Sequence, residues 1–369
     1  MRILYVLNSG QPGGMEQHVL DLIEGMKKLG HEVFVWCPQG PMFKKYADAE
    51  AKVTEKEIKW DIDFKYIFQL KKFLKENKIE IVHSHELKAV TNATLAGFLA
   101  RTKVKISHTH TPITEWQINP IKKFINMLAY APLVDIFSTK EIALTESRKK
   151  TKRKEGICKR KLVVIPNGVD VDEFCFSDEA REGFRSYILR RYDIPQNSYI
   201  FGVVGRISKE KGHSVLLEAF SKVEGAYLLI AGGGPLEEEI KRDARNLGIS
   251  DKVIVTGRFP AIDHKKYFAA INCFVHPSLA EGFGIVLTEA MAAKIPIIAS
   301  DLEVLQEVGG DTISYFKTGD SVELAQKMKE ILEGEVAYDP DPACKRVRER
   351  YSLDFFIKQY ENLYHTLLE

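Results

Sequence analysis

Of 369 residues only five are cysteine (Cys37, Cys158, Cys175, Cys273 and Cys344), three are tryptophan, and the net charge is no more than +2. Five scattered cysteines make neither a disulfide framework nor a zinc pattern, and they suit a reducing cytosol. A charge balance this near neutral gives no bulk pull toward nucleic acid. No run of about 18 apolar residues occurs, so no membrane-spanning helix is expected. The opening "MRILYVLNSG" has one basic residue and a short apolar run, and reads as a strand, not a signal peptide. The GxGxxG spacing of a dinucleotide fingerprint is also missing, because neither "SGQPGG" nor "AGGGP" has it. What remains is an ordinary globular composition, 45% apolar and 28% charged, without internal repeats. A chain of this length is too long for one core and suggests two domains.

The chain alternates short β-rich apolar runs, glycine or polar turns, and amphipathic helices. "RILYVLN", "HEVFVWCP", "IEIVHSH", "KVKISHTH", "DIFSTK" and "KLVVIPNG" read as strands of a first series. After a charged helix over 177–191 the rhythm restarts with "YIFGVVGRI", "AYLLIAGGG", "KVIVTGRF", "CFVHPS" and "IPIIAS". Such alternation predicts an α/β protein of two doubly wound parallel sheets, joined near "IPNGVDVDEF". Ligands of open parallel sheets sit beyond the carboxyl ends of the strands. Gly13, Gly14, His85, His110, Arg206, Gly232 to Gly234 and Glu281 fall at those ends, which predicts one cleft between the two domains.

The stretch "EGFGIVLTE", 281–289, places two carboxylates around an apolar, glycine-rich segment. It reads as a loop entering a helix at about Gly284, whose first turn leaves N–H groups for an anion or for sugar hydroxyls. Glu281 would precede the helix and Glu289 lie inside it, each gripping a different part of one ligand. The bland alternative is a helix-start acid plus an ordinary helical glutamate. In "GRISKEKG", Arg206 and Lys211 could neutralise a diphosphate without a metal; a solvated basic turn is the alternative. His83/His85 and His108/His110 sit at period two, so each pair faces one side. Satisfied strand-end histidines are the commoner outcome, a metal is not expected, and a sugar contact suits His85 and His110.

Residues 147–161, "SRKKTKRKEGICKRK", hold nine Lys/Arg in their last fourteen positions. A solvated loop is the favoured reading, and attraction to an anionic membrane surface the alternative. In the preceding helix Ile121, Phe124, Ile125 and Leu128 form one stripe, which reads as core.

Taken together, "VIPNGVD", "VVGRISKEKG", "IAGGGP" and "HPSLAEGFGIVLTEAMAAKIPIIAS" resemble the retaining GT-B glycosyltransferases of family 4, over essentially the whole chain. The resemblance implies an acceptor-binding Rossmann-like domain over 1–168, with a terminal helix at about 354–369 packing back on it. A donor-binding Rossmann-like domain over 169–353 would face it across the cleft. The implied reaction moves a sugar from a nucleotide-diphosphate sugar, UDP favoured and GDP next, to a hydroxyl of a saccharide or lipid-linked precursor of cell-surface polysaccharide. Arg206 and Lys211 would hold the diphosphate and Glu289 the ribose. Glu281 would hold sugar hydroxyls, with backbone groups of Gly282, Phe283, Gly284, Ile285 and Val286. Arg258 and Phe259 would line the base, Gly233 the donor loop, and Gly13 and Gly14 the phosphates. His110 would lie by the reacting sugar, and His85 and Gly14 would face the acceptor. His110, Glu281, Arg206 and Lys211 are thus the implied catalytic set. No metal and no cofactor beyond the nucleotide-sugar co-substrate are implied. The expected location is the cytoplasm, with peripheral contact to the inner membrane face through 147–161. Two alternatives stay open: a non-catalytic nucleotide-sugar-binding subunit, and another GT-B enzyme such as a sugar-nucleotide epimerase or a phosphorylase.

Overall fold

The computed structural model describes residues 1–116 and 119–369. The chain divides into two compact units, residues 1–168 with 353–369, and residues 169–352.

The first unit is built on seven strands: β1 (Arg2–Val6), β2 (Glu32–Cys37), β3 (Lys52–Glu55), β4 (Ile81–His85), β5 (Val104–His108), β6 (Lys140–Ala143) and β7 (Leu162–Val164). All pairings are parallel, in the order β3-β2-β1-β4-β5-β6-β7. Side chains alternate along β1. Ile3 and Tyr5 enter one core, while Leu4 and Val6 enter the other, and all four are fully buried. A sheet covered on both faces explains why its strands read as continuous apolar runs. The helix Leu353–Leu368 belongs to this unit and drives Phe356, Tyr360 and Tyr364 into the Ile3–Tyr5 core.

The second unit has six parallel strands: β8 (Tyr199–Val204), β9 (Ala226–Ala231), β10 (Val253–Val255), β11 (Cys273–His276), β12 (Ile297–Ser300) and β13 (Ser314–Phe316). Their order is β10-β9-β8-β11-β12-β13. Strand order reverses beside β1 in the first sheet and beside β8 in the second, where crevices form at the strand ends. The chain enters and leaves this unit side by side. Val169 bridges Ser352 in parallel, and the Val169 N–H donates to the Tyr351 carbonyl at 2.8 Å.

Three local expectations fail. "DIFSTK" is not a strand: Asp135–Phe137 end the helix Pro120–Phe137, and β6 begins at Lys140. Tyr130, Ala131 and Val134 are buried there at helical spacing, which carries the helix past the strand-like residues. The stripe Ile121, Phe124, Ile125 and Leu128 of that helix is exposed, so it is not core. The basic run is not a solvated loop. It contains the helix Glu146–Lys154, capped by Thr145, whose Lys152 is fully buried. The Lys152 ammonium reaches Glu141 at 2.5 Å, the Thr109 carbonyl at 2.7 Å and the Ile142 carbonyl at 2.6 Å, and Arg148 pairs with Glu115. No helix among the described residues is long and apolar enough to cross a membrane.

Candidate functional site

In the second unit three loops at strand carboxyl ends are knitted together by backbone. The Gly205 N–H donates to the Ala231 carbonyl at 2.9 Å and the Ile207 N–H to the Gly233 carbonyl at 3.1 Å. Leu279 and Ala280 both donate to the Glu210 carbonyl, at 2.8 and 3.3 Å. Gly212 closes the 205–212 loop at φ 66°, and a β-carbon there would lie 2.0 Å from the Pro277 carbonyl oxygen. Any side chain would therefore pry the two loops apart. Gly233 packs closely on Arg258, leaving 2.8 Å between a β-carbon and its side-chain stem.

This close backbone packing carries Lys211 to Glu281. The ammonium donates to Oε2 at 2.6 Å, with His276 Nε2 at 3.2 Å and the Ser278 hydroxyl at 3.4 Å from the same oxygen. Oε1 accepts the Gly282 N–H at 3.2 Å. Burial raises the Glu281 pKa, but the Lys211 charge and His276 outweigh it and hold the carboxyl well below its ordinary 4.5. Burial lowers His276. Arg206 is exposed, and among the described residues it has no hydrogen bond or ion pair, so its guanidinium is available to an anion.

A depressed carboxyl gives a testable sign. Between the folded and unfolded values the unfolded chain binds more protons, so stability rises with pH. The Glu281 contribution is complete above about 4.5 and is lost as pH falls through the folded value. In urea unfolding from pH 3.5 to 7, the gap between wild type and Glu281→Gln should be widest at pH 7 and shrink below 4.5. A gap constant across that range would dismiss the ionised pair.

Gly284, at φ 89°, precedes the helix Ile285–Ala292. Leu287 and Thr288 turn their N–H groups back onto the Gly284 carbonyl at 2.9 and 3.3 Å. The helix geometry leaves the amides of Ile285 and Val286 to a ligand. Phe283 contributes only backbone, since its ring is buried against Tyr351 with centroids 5.6 Å apart. Glu289 is buried, and its Oε2 lies 2.9 Å from His264 Nε2. The His264 ring is opposed by burial, yet the Glu289 charge raises its pKa. Phe259 packs over His264 and Tyr267, with centroids 6.1 and 4.4 Å apart, while Arg258 is exposed beside it. His264 was not singled out from sequence. A lone histidine 25 positions before Glu289 gives no spacing signal.

In the first unit Gly13 and Gly14 are exposed at the start of the helix Gly14–Lys28. His18 of that helix donates from Nδ1 to the Asn167 amide oxygen at 2.9 Å, in the "IPNG" segment. His85 Nδ1 lies 3.2 Å from His110 Nε2, and the His108 and His110 rings stack at 3.9 Å. The strand-end histidines are only partly satisfied: His83 Nδ1 lies 2.7 Å from the Tyr364 hydroxyl and His85 Nδ1 meets His110. Among the described residues, His18 Nε2, His83 Nε2, His85 Nε2 and both nitrogens of His108 are buried without a partner. Their neighbours include other imidazoles, which cannot all donate and accept at once, and the rings of Tyr5, Phe356 and Tyr360. Glu86, also missed from sequence, sits at φ 69° after β4. Burial, opposed by the Lys152 charge, raises its carboxyl to about 7. It faces a pocket of about 250 Å³ with Asn8, Asp61, Trp116, Lys122 and Asn126.

Two doubly wound parallel α/β units, the second presenting a glycine-bounded cation–carboxylate site at its strand ends, define a GT-B protein. Comparison with known proteins agrees. The family described as "Glycosyl transferases group 1" matches residues 185–351, and "Glycosyltransferase Family 4" matches residues 12–173. The capsular polysaccharide biosynthesis glycosyltransferase CapM of Staphylococcus aureus is 24% identical over 365 residues, 94% of this chain and 93% of that protein. A phosphatidyl-myo-inositol mannosyltransferase of Mycolicibacterium smegmatis is 28% identical over 341 residues, 87% of this chain and 82% of that one. The crystal structure of Anabaena HepE in complex with UDP and glucose superposes with a TM-score of 0.87 at 20% identity, over 99% of this chain and 100% of that one. The chain belongs to the group 1 glycosyltransferases, and it has their GT-B fold.

Proposed function

We propose that the protein is a retaining glycosyltransferase that moves a sugar from a UDP-sugar to a hydroxyl of a lipid-linked or saccharide precursor of cell-surface polysaccharide. The observation that carries this is the Lys211–Glu281 pair at 2.6 Å beside the helix start at Gly284. A cation, an anion and free helix amides together fit a ligand that is diphosphate at one end and polyhydroxyl at the other. Arg206 and Lys211 take the diphosphate, with the Ile285 and Val286 amides. Glu281 and the backbone from Gly282 to Gly284 hold sugar hydroxyls. Glu289, oriented by His264, takes the ribose, and Phe259 and Arg258 flank the base beside Gly233. Gly13, Gly14, His85 and His110 serve the acceptor and the reacting sugar from the first unit. UDP is favoured because HepE, similar in fold, holds UDP.

As the glycosidic bond breaks, negative charge grows on the departing diphosphate, and fixed cations and amides stabilise that charge without reorganising. Glu281 already accepts from Lys211, His276 and Ser278, which suits a hydroxyl-holding role better than a nucleophile. Attack on the face the nucleotide leaves, assisted by the leaving phosphate, then retains configuration. No divalent ion is needed at the diphosphate. A thermal-shift panel of UDP-, GDP- and ADP-sugars tests the donor site, since a ligand of the folded state raises the midpoint. UDP-sugars should raise it most, and no rise with any nucleotide would sink the reading. A transfer assay with radiolabelled donor separates an enzyme from a binding subunit.

The membrane side of the acceptor reading is supported by the helix Pro120–Phe137. Ile121, Phe124, Ile125 and Leu128 are 72, 61, 56 and 61% exposed on one stripe, with Lys122 beside them and the basic 147–161 segment in the same unit. An apolar stripe flanked by cations fits an anionic bilayer interface. Phe124→Glu with Leu128→Glu should abolish co-flotation with vesicles containing phosphatidylglycerol while UDP thermal shifts stay unchanged. Equal flotation of wild type and variant would remove this support.

A further inference from the structure

We propose that His18, His85, His108 and His110 form a binding site for one zinc-type divalent transition-metal ion in the first unit. This goes beyond the donor reading and does not depend on it. The ligand-capable nitrogens of these four residues all lie within 4.8 Å of one another. They come from rigid elements: the helix Gly14–Lys28, the end of β4, the end of β5, and the residue two positions beyond.

Several independent features favour an ion over a purely structural stack. Buried polar nitrogens almost always find partners, yet among the described residues His18 Nε2 and both nitrogens of His108 have none. The His18 tautomer is already set. Its Nδ1–H donates to Asn167 Oδ1 at 2.9 Å, which leaves Nε2 as a bare lone pair, the arrangement of a metal-ligating imidazole held by an outer partner. The His85 Nδ1 to His110 Nε2 separation is 3.2 Å. Two nitrogens bonded tetrahedrally to one ion at about 2.0–2.1 Å would stand about 3.3 Å apart.

His110 is the half-buried member and offers a way in. The nitrogen it turns toward His85 is Nε2, so an ion there would orient the ring and leave Nδ1 uncommitted. Four imidazole nitrogens suit zinc, cobalt, nickel or copper, and are poor ligands for magnesium or calcium. A second group, His31, Glu361 and His365, lies toward the surface of the same unit and serves as the internal control.

The test uses the full chain, stripped with a chelator and titrated with Co²⁺ and then Zn²⁺. One equivalent of Co²⁺ should give visible ligand-field bands of a tetrahedral nitrogen site, and one equivalent of Zn²⁺ should bleach them. His18→Gln and His108→Gln should each weaken Zn²⁺ binding at least tenfold. Asn167→Ala, which removes only the outer partner, should weaken it about 10–100-fold. His365→Gln should leave it unchanged. Failure of the wild type to take up one equivalent overturns the site, as does binding that survives both histidine variants or disappears only in His365→Gln. Far-UV circular dichroism checks that the variants are folded. Where a histidine variant does not fold, wild-type stoichiometry and Asn167→Ala decide. The UDP thermal shift arises in the second unit and should persist throughout, so loss of metal binding and failure of the donor reading remain distinguishable.

Discussion

Lys211→Ala should lower kcat at saturating donor by about 100- to 1,000-fold, the usual cost of deleting one preorganised donor to developing charge. The fold should survive. Lys211 is a quarter exposed, and its partner Glu281 keeps His276, Ser278 and the Gly282 N–H. Turnover measured beside an unfolding midpoint separates the two consequences. Glu281→Gln is the informative companion, because it frees Lys211 for phosphate while weakening the grip on sugar hydroxyls. It should raise KM more than Lys211→Ala does and lower kcat less. Arg206→Ala, at an exposed side chain with no partner to lose among the described residues, should slow turnover with no change in stability. Near-normal kcat in both Lys211→Ala and Arg206→Ala would remove the proposed leaving-group stabilisation.

The largest loss of stability is expected from Lys152→Met. Lys152 is 1% exposed and Glu141 is fully buried, and Glu141 also accepts from the Thr109 and Tyr130 hydroxyls. Removing the ammonium leaves a carboxylate inside the protein without its charge partner, at a cost of about 3–5 kcal/mol. A folded domain has only about 5–15 kcal/mol in total. Replacing both partners, Lys152→Met with Glu141→Gln, should recover a good part of the loss, since neither charge is then stranded. Urea unfolding of the wild type, the two single variants and the double variant gives the coupling directly. A single-variant loss under about 1 kcal/mol would show that water reaches the pair.

The alternation of strand and helix was legible because each sheet is buried on both faces, which writes Val, Ile and Leu runs into the sequence. β3, "KVTE", and β13, "SYF", were not, because short outer strands of a sheet carry little of that signal. The glycine loops of the second unit could be recognised, since close backbone approach at Gly212 and Gly233 restricts residue type strongly. Which side chain meets which could not. Nothing in spacing brings His264 to Glu289, and the sequence does not say that Lys211 and Glu281, 70 positions apart, form an ion pair. Lys152 looks like any of the eight other cations of its run, because burial is decided by the fold and not by the neighbouring residues. The stripe from Ile121 to Leu128 was correctly periodic but misassigned. Period reports that one face is apolar and is silent on what covers it. The histidine cluster was half visible. Period two gave the pairs on β4 and β5, but His18 arrives from a helix more than sixty positions earlier.

The bridge between Val169 and Ser352 ties together the two points where the polypeptide passes into and out of the second unit. In genetic terms that unit is a cassette spliced into its host at a single locus, and the host's sheet is already complete before the insertion point. Exchange of that segment at the one locus would leave the seven strands of the host and their order untouched.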